Sequence, residues 1–322
     1  MSIMKLNDRI SLIDLYDLGK PHRTGAYVIA EEELTIVETS ASPSLPHLKK
    51  GLQQLGYSLK DISYIIVTHI HLDHAGGVGL LLQDCPQVKV VVHPKGARHL
   101  INPSRLEAGA RAVYKEKFDE LFHPIVPVPE ENIVIKGDQD TLTIGKRCTL
   151  QFYDTPGHAN HHFSIYDPVS NGMFTGDTAG IFYDVLQQQQ GISLYLPSTS
   201  PNQFDPERMR KSIQLYKSKQ LNYIYYGHFG MTKDVSTALD EVERWLNIFI
   251  NVASEWFDET KGWEENVQSI SHQLFAYVEE ELRTIGVLVE GEWVETLKLD
   301  LHVSAMGMVD YFIRNNTKSS TK

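Results

Sequence analysis

The chain has 322 residues, of which 42% are hydrophobic and 22% charged, enough apolar material for one large core or a main domain with an addition. A formal net charge of −11, with no dense Lys/Arg run, argues against a nucleic-acid backbone or an anionic membrane surface as partner. The two cysteines, Cys85 and Cys148, form no C-x-x-C pair, which leaves neither a disulfide framework nor a thiolate zinc site.

The opening MSIMKLNDRISLIDLYDLG breaks every apolar stretch with charge, unlike a secretory signal, and no stretch reaches the roughly 18 apolar residues of a membrane span. A reducing cytoplasm is the expected setting. From Ile10 to about Val37, SLIDLYDL, GAYVIA and LTIVET read as strands of one sheet. PSLPHLKKGLQQLGY puts Leu45, Leu48, Leu52 and Leu55 at helical spacing behind a proline, and Tyr64 to Val67 returns to a buried strand. GGVGLLLQD starts a helix and VKVVVHP is the next strand, so sheet and helix alternate as in a layered α/β fold. Residues 95–125 read as an amphipathic helical excursion able to form a wall or lid, before the sheet resumes near Ile133.

DTLTIGKRCTLQFYDTPGH reads as a hairpin that delivers the chain to His158. HFSIYDPVSNGMFTGD is a second, ending at Asp177, and LNYIYYGHFG runs as a strand into His228. Beyond Lys233 the pattern turns helical: STALDEVERWLNIFINVASEWF, WEENVQSISHQLFAYVEEELRTIG and TLKLDLHVSAMGMVDYFIRNN. The division expected is a catalytic domain over 1–232 and a helical extension over 233–322, roughly ninety residues. Trp245, Leu246, Phe249 and Ile250 make an apolar face there, for packing or for a homodimer. Only QQQQ at 187–190 and the final TKSSTK read as loose.

Residues 68–77 read THIHLDHAGG. Residues two apart on an extended tail point the same way, so His69 and His71 can share one ion while the turn through Asp73 and His74 faces a second. His158 after Thr-Pro-Gly, Asp177 after Thr-Gly, and His228 supply the remaining candidate ligands, each following a β-run. A hydrogen-bonded loop cluster is the plainer reading, disfavoured because independent spacings agree.

H-x-H-x-D-H, TPGH, TGD and a late strand-end histidine together resemble the metallo-β-lactamase-fold hydrolase superfamily over residues 10–232. HPKGARHLINPSRL, TPGHANHHFSIY, TGDTAGIFY and YYGHFG are most similar to its glyoxalase II-like, uncharacterised bacterial and archaeal branch. The resemblance implies an αββα sandwich with the site at one edge of the paired sheets. It implies His69, His71 and His158 on one metal, Asp73, His74 and His228 on a second, and Asp177 bridging. It further implies two zinc ions per chain, with manganese or iron as alternatives, and hydrolysis of a small-molecule ester, thioester or lactone by metal-bound hydroxide, with Asp73 as the catalytic carboxylate. The rival is a persulfide dioxygenase-like oxygenase with one iron. A third reading, a metal-binding scaffold, ranks last because no ligand is missing.

The sequence departs from the family at ETSAS, residues 38–42, where Asp-Thr-Gly is usual, and at Gly180, where lactonases of the superfamily place a tyrosine. Tyr183 and Tyr195 are candidates for the pocket or, more simply, for the core. Among the other histidines, one of His161 and His162 is a candidate to support a ligand, and His93 and His99 to pack or cap.

Overall fold

The computed structural model describes residues 3–319. Seven strands form the first sheet in chain order: β1 (Ile3–Lys5), β2 (Ile10–Asp14), β3 (Gly25–Ile29), β4 (Leu34–Val37), β5 (Ile62–Ile66), β6 (Lys89–Val92) and β7 (Ile133–Ile135). Pairing is antiparallel through β4 and parallel from β4 to β7. The parallel strands therefore end on one edge, where Glu38, His69 and His93 follow within a few residues.

The chain continues through β8 (Thr141–Gly145), β9 (Cys148–Asp154), β10 (Phe163–Asp167) and β11 (Gly172–Gly176), then the short ribbon β12 (Ile181–Phe182) with β13 (Tyr195–Leu196), then β14 (Tyr223–Tyr226) and β15 (Met231–Thr232). The second sheet has the order β15-β14-β11-β10-β9-β8. Its one parallel pair, β11 with β14, brings Gly176 and Gly227 together, the Gly227 N–H donating to the Gly176 carbonyl at 3.3 Å.

Contacts divide the described chain into two compact units. The first comprises residues 3–154, His161–Gly176 and Leu221–Lys233 and contains both large sheets. Its strands alternate between two cores. On β5 and β6, Ile65, Val90 and Val92 join a cluster with Leu45, Leu48 and Leu52 of α1 (Leu45–Gln54), while Ile66 and Val91 face Phe152, Phe163, Phe174 and Tyr225 between the sheets. Strands buried on both faces read as continuous apolar runs, which is why YIIV and KVVV were legible. Also in this unit are α2 (Leu72–Ala75), α3 (Val78–Leu82), and the excursion, which folds as α4 (Pro94–Ile101), α5 (Ser104–Tyr114) and α6 (Phe118–Phe122). Phe118 and Phe122 cluster with Leu72 and Ala41, so the excursion packs on the H-x-H-x-D-H loop as a wall.

The second unit comprises Thr155–Asn160, Asp177–Gln220 and residues 234–319. It holds α7 (Asp184–Gln190), α8 (Pro206–Ser218), α9 (Val235–Trp256), α10 (Trp263–Thr284) and α11 (Glu292–Ser319). On α9, Val235, Leu239, Val242, Trp245, Leu246 and Phe249 are buried, at the spacing of one helical face, and Ile250 is half-buried. The glutamine run is a correction to the sequence reading: it is the end of α7, anchored by buried Leu186 and closed by Gly191 at φ +73. Glutamine is a good helix former, and composition alone misread it. Of TKSSTK, 317–319 end α11 and 320–322 lie outside the described residues. Among the described residues, no helix is long and apolar enough to cross a membrane.

Both cysteines are buried free thiols. Burial, reinforced by Asp167, pushes Cys148 up to about 12, and burial with Asp84 pushes Cys85 up to about 11. Since the thiolate is the reactive species, neither is expected to react with an aromatic disulfide reagent at pH 8 until the protein is denatured. A titratable thiol in the folded protein, read by released chromophore, would contradict this.

Candidate functional site

The first unit carries five of the seven candidate ligands. Strand β5 runs into Val67 and Thr68, and the chain then turns through His69 and His71 into the four-residue α2, for which His71 is the N-cap. His69 is fixed from both sides: Nδ1 lies 3.1 Å from the Thr68 hydroxyl, and Nε2 lies 3.0 Å from His71 Nδ1. Asp73 Oδ2 stands 3.7 Å from His74 Nε2 and 3.7 Å from His228 Nε2. Asp73, His74 and His228 each offer a donor atom within 4.8 Å of the others. His74 is fully buried, whereas Asp73 keeps 19% of its side chain exposed and is the accessible donor of this group.

A carboxylate not recognised from the sequence supports them. Glu38, buried at the end of β4, accepts the Thr68 N–H at Oε1 (2.9 Å), and its Oε2 lies 3.2 Å from His74 Nδ1. A carboxylate on the outer imidazole nitrogen fixes the tautomer and leaves Nε2 to face an ion. Glu38 stands where the family's Asp-Thr-Gly would begin, so ETSAS retains the acid. Behind it, buried Asp17 accepts from Arg23 Nε (3.1 Å) and from the Ser40 hydroxyl (3.1 Å). Burial pushes the Asp17 carboxyl up, against the pull of Arg23, and Asp73 adds to the rise. Glu38, Ser40 and Phe229 all have positive φ, +71, +57 and +69, so non-glycine strain collects in the loops beside these donors.

The second unit carries the other two candidates. His158 Nε2 is 3.6 Å from Asp177 Oδ2, and His158 Nδ1 is 3.1 Å from the Ser198 carbonyl. A carbonyl can only accept, so Nδ1 carries a proton and Nε2 is the nitrogen on the Asp177 side. Asp177 directly follows Gly176, whose φ is +49 and where a Cβ would lie 2.4 Å from His162 Nε2 and 2.6 Å from Thr68 Oγ1. The glycine of Thr-Gly-Asp is thus a steric requirement.

Separations of 3.6–3.7 Å are too long for hydrogen bonds. They suit two donors on one ion, since bonds of about 2.1 Å at a tetrahedral angle separate donor atoms by about 3.4 Å. The donors are imidazole and carboxylate, a set suited to zinc, manganese or iron. The residues present therefore fit a divalent metal.

Other candidates take packing roles. His93 caps α4, its Nδ1 accepting the Lys95 N–H (3.1 Å), and its Nε2 lies 2.8 Å from Asp154. The rings of His161 and His162 flank those of His71 and His69, at 5.4 and 5.2 Å. Tyr183 donates to Asp300 (3.1 Å) and Tyr195 stacks on Phe182, both buried.

The sequence profile of the Metallo-beta-lactamase superfamily matches residues 20–228. A metallo-beta-lactamase fold-containing protein of Sulfurisphaera tokodaii is 26% identical over 247 residues, covering 73% of this chain and 86% of its own length. The crystal structure of that archaeal protein superposes with a TM-score of 0.64 at 18% identity, over 93% of this chain and 98% of its own. A metallo-beta-lactamase family protein from Thermus thermophilus gives 0.65 at 19% identity, over 97% and 95%. These likenesses show the fold expected from the motifs, the metallo-β-lactamase sheets with helices and additional C-terminal helices. The profile match spans well over half of the chain, and this chain belongs to the metallo-beta-lactamase superfamily.

Proposed function

We propose that the chain is a metal-dependent hydrolase that opens an ester, thioester or lactone of a small molecule, using two divalent ions, zinc before manganese or iron. The proposed assignment puts His69, His71 and His158 on one ion and Asp73, His74 and His228 on the other, with Asp177 shared. The observation that carries the reading is the spacing of Asp73 from His74 and His228, 3.7 Å in both cases, with Glu38 behind His74.

Bound divalent ions lower the pKa of coordinated water and polarise a carbonyl. The protein's own contribution is to hold the donors in one protonation state and to place an acid beside the substrate. Asp73, the accessible carboxylate, orients the nucleophile and carries its proton toward the leaving group. The acidic balance of the chain makes a small molecule the partner rather than a nucleic acid. A relative named probable metallo-hydrolase (Methanocaldococcus jannaschii, 27% identical over 187 residues) supports hydrolysis, and one named N-acyl homoserine lactonase (Bacillus thuringiensis, 25% over 180) supports carbonyl hydrolysis. So does a relative named atrochrysone carboxyl ACP thioesterase (Aspergillus fumigatus, 28% over 117).

Elemental analysis of protein purified without added metal, combined with a panel of esters, thioesters and lactones, tests the proposal. Two equivalents of zinc or manganese per chain and chelator-sensitive hydrolysis are expected. Metal-replete protein that cleaves nothing in the panel would sink it. One equivalent of iron, with oxygen consumed on glutathione persulfide, would establish the oxygenase alternative.

A further inference from the structure

We infer that Ser198 is a positioning residue for two proposed metal ligands at once, and that α11 holds Ser198 in place, so that the C-terminal helix sets metal affinity. The inference rests on the metal reading above.

Ser198 touches both ligands of the second unit. Its carbonyl takes the His158 Nδ1 proton (3.1 Å), and its hydroxyl donates to Asp177 Oδ2 (3.1 Å), the oxygen that lies 3.6 Å from His158 Nε2. Two residues on, the Ser200 hydroxyl donates to the His158 carbonyl (2.6 Å). Ser198, Thr199 and Ser200 are all buried, 6%, 1% and 4% exposed, so water does not substitute readily for these bonds. One short loop therefore determines where the imidazole and the carboxylate point.

The loop and the chain on either side of it are fastened along a single stripe of α11. Tyr183 donates to Asp300 (3.1 Å), Thr199 donates to the Ser304 carbonyl (2.8 Å), and Arg314 donates to the Phe204 carbonyl (2.9 Å). Between them, Gly307 lies so close that a Cβ there would stand 2.3 Å from Thr199 Oγ1 and 2.9 Å from the Ser200 nitrogen. Positions 300, 304, 307 and 314 recur at helical spacing on one face. This is a contact the helix could not make with any side chain at 307, which explains a glycine in the middle of a helix where alanine would be favoured.

The test is zinc affinity of the full chain, measured by competition with a chromogenic chelator, with melting of the metal-free protein as the folding control. Ser198→Ala is expected to weaken zinc binding by about 10- to 100-fold, the range for lost support of a ligand. Ser198→Thr, which keeps the hydroxyl, is expected to restore most of it. Gly307→Ala is expected to weaken binding although alanine favours the helix, so a frayed α11 cannot be the cause. Leu274→Ala, a cavity at a buried position of α10, is expected to lower the melting temperature with affinity unchanged. Ser198→Ala and Gly307→Ala proteins that bind zinc as tightly as the wild type would overturn the inference and leave the metal reading standing. Wild-type protein that binds no divalent ion would overturn both.

Discussion

Asp177→Ala is expected to lower kcat/KM on any hydrolysed substrate by about three orders of magnitude or more, and to leave fewer than two ions per chain. Asp177 Oδ2 stands 3.6 Å from His158 Nε2, and the proposed assignment makes it the shared ligand. Metal assistance in hydrolysis contributes several kcal/mol to transition-state stabilisation, and about 4 kcal/mol corresponds to about a thousandfold in rate. Asp177→Asn keeps the shape and one oxygen but not the charge, so a smaller loss is expected. Steady-state kinetics with metal analysis of the same preparations checks both. Asp177→Ala with wild-type stoichiometry and rate would remove Asp177 from the site.

Glu38→Ala is expected to destabilise the metal-free protein by about 1–3 kcal/mol and to weaken zinc binding by about 10- to 100-fold. The stability term arises because the carboxylate accepts the buried Thr68 N–H at 2.9 Å, and a buried polar group that loses its partner costs about 1–3 kcal/mol. The affinity term arises because His74 is no longer held in the tautomer that presents Nε2. Glu38→Asp is one methylene short of reaching both groups, so an intermediate effect is expected. Urea unfolding of the apo protein separates the two terms. An apo protein of unchanged stability would show that Glu38 is not the anchor its contacts make it.

The seven ligand candidates were legible because each stands in a short local pattern at the end of an apolar run. The strands themselves were legible because Ile65 and Ile66 of β5 and Val90, Val91 and Val92 of β6 are buried on both faces, which leaves no polar residue to interrupt those stretches. Glu38 carried a weaker signal: it follows LTIV where an acid is expected, but the changed turn obscured it. Ser198, in LPSTSP, carried none, because a serine that donates to an aspartate 21 residues away has the same local sequence as any loop serine. The glutamine run misled for a related reason, since composition does not register the buried Leu186 and the glycine cap that make it a helix.

Taken alone, the sequence determined the chemistry available and its order along the chain: imidazoles and carboxylates after strands, glycines where the backbone must approach, and amphipathic helices at the end. Those features follow from local sterics and two short periodicities, and they survive without knowledge of contacts. The supporting layer was decided only by the tertiary structure. Parallel pairing puts the ends of β4 and β5 on one edge, which is what sets Glu38 against His74. Packing of α11 on Thr199 and Ser200 lies beside the contacts of Ser198 with His158 and Asp177, from which its inferred positioning role comes. Such partners are chosen by proximity across long stretches of chain, and proximity is a property of the fold rather than of any segment in it.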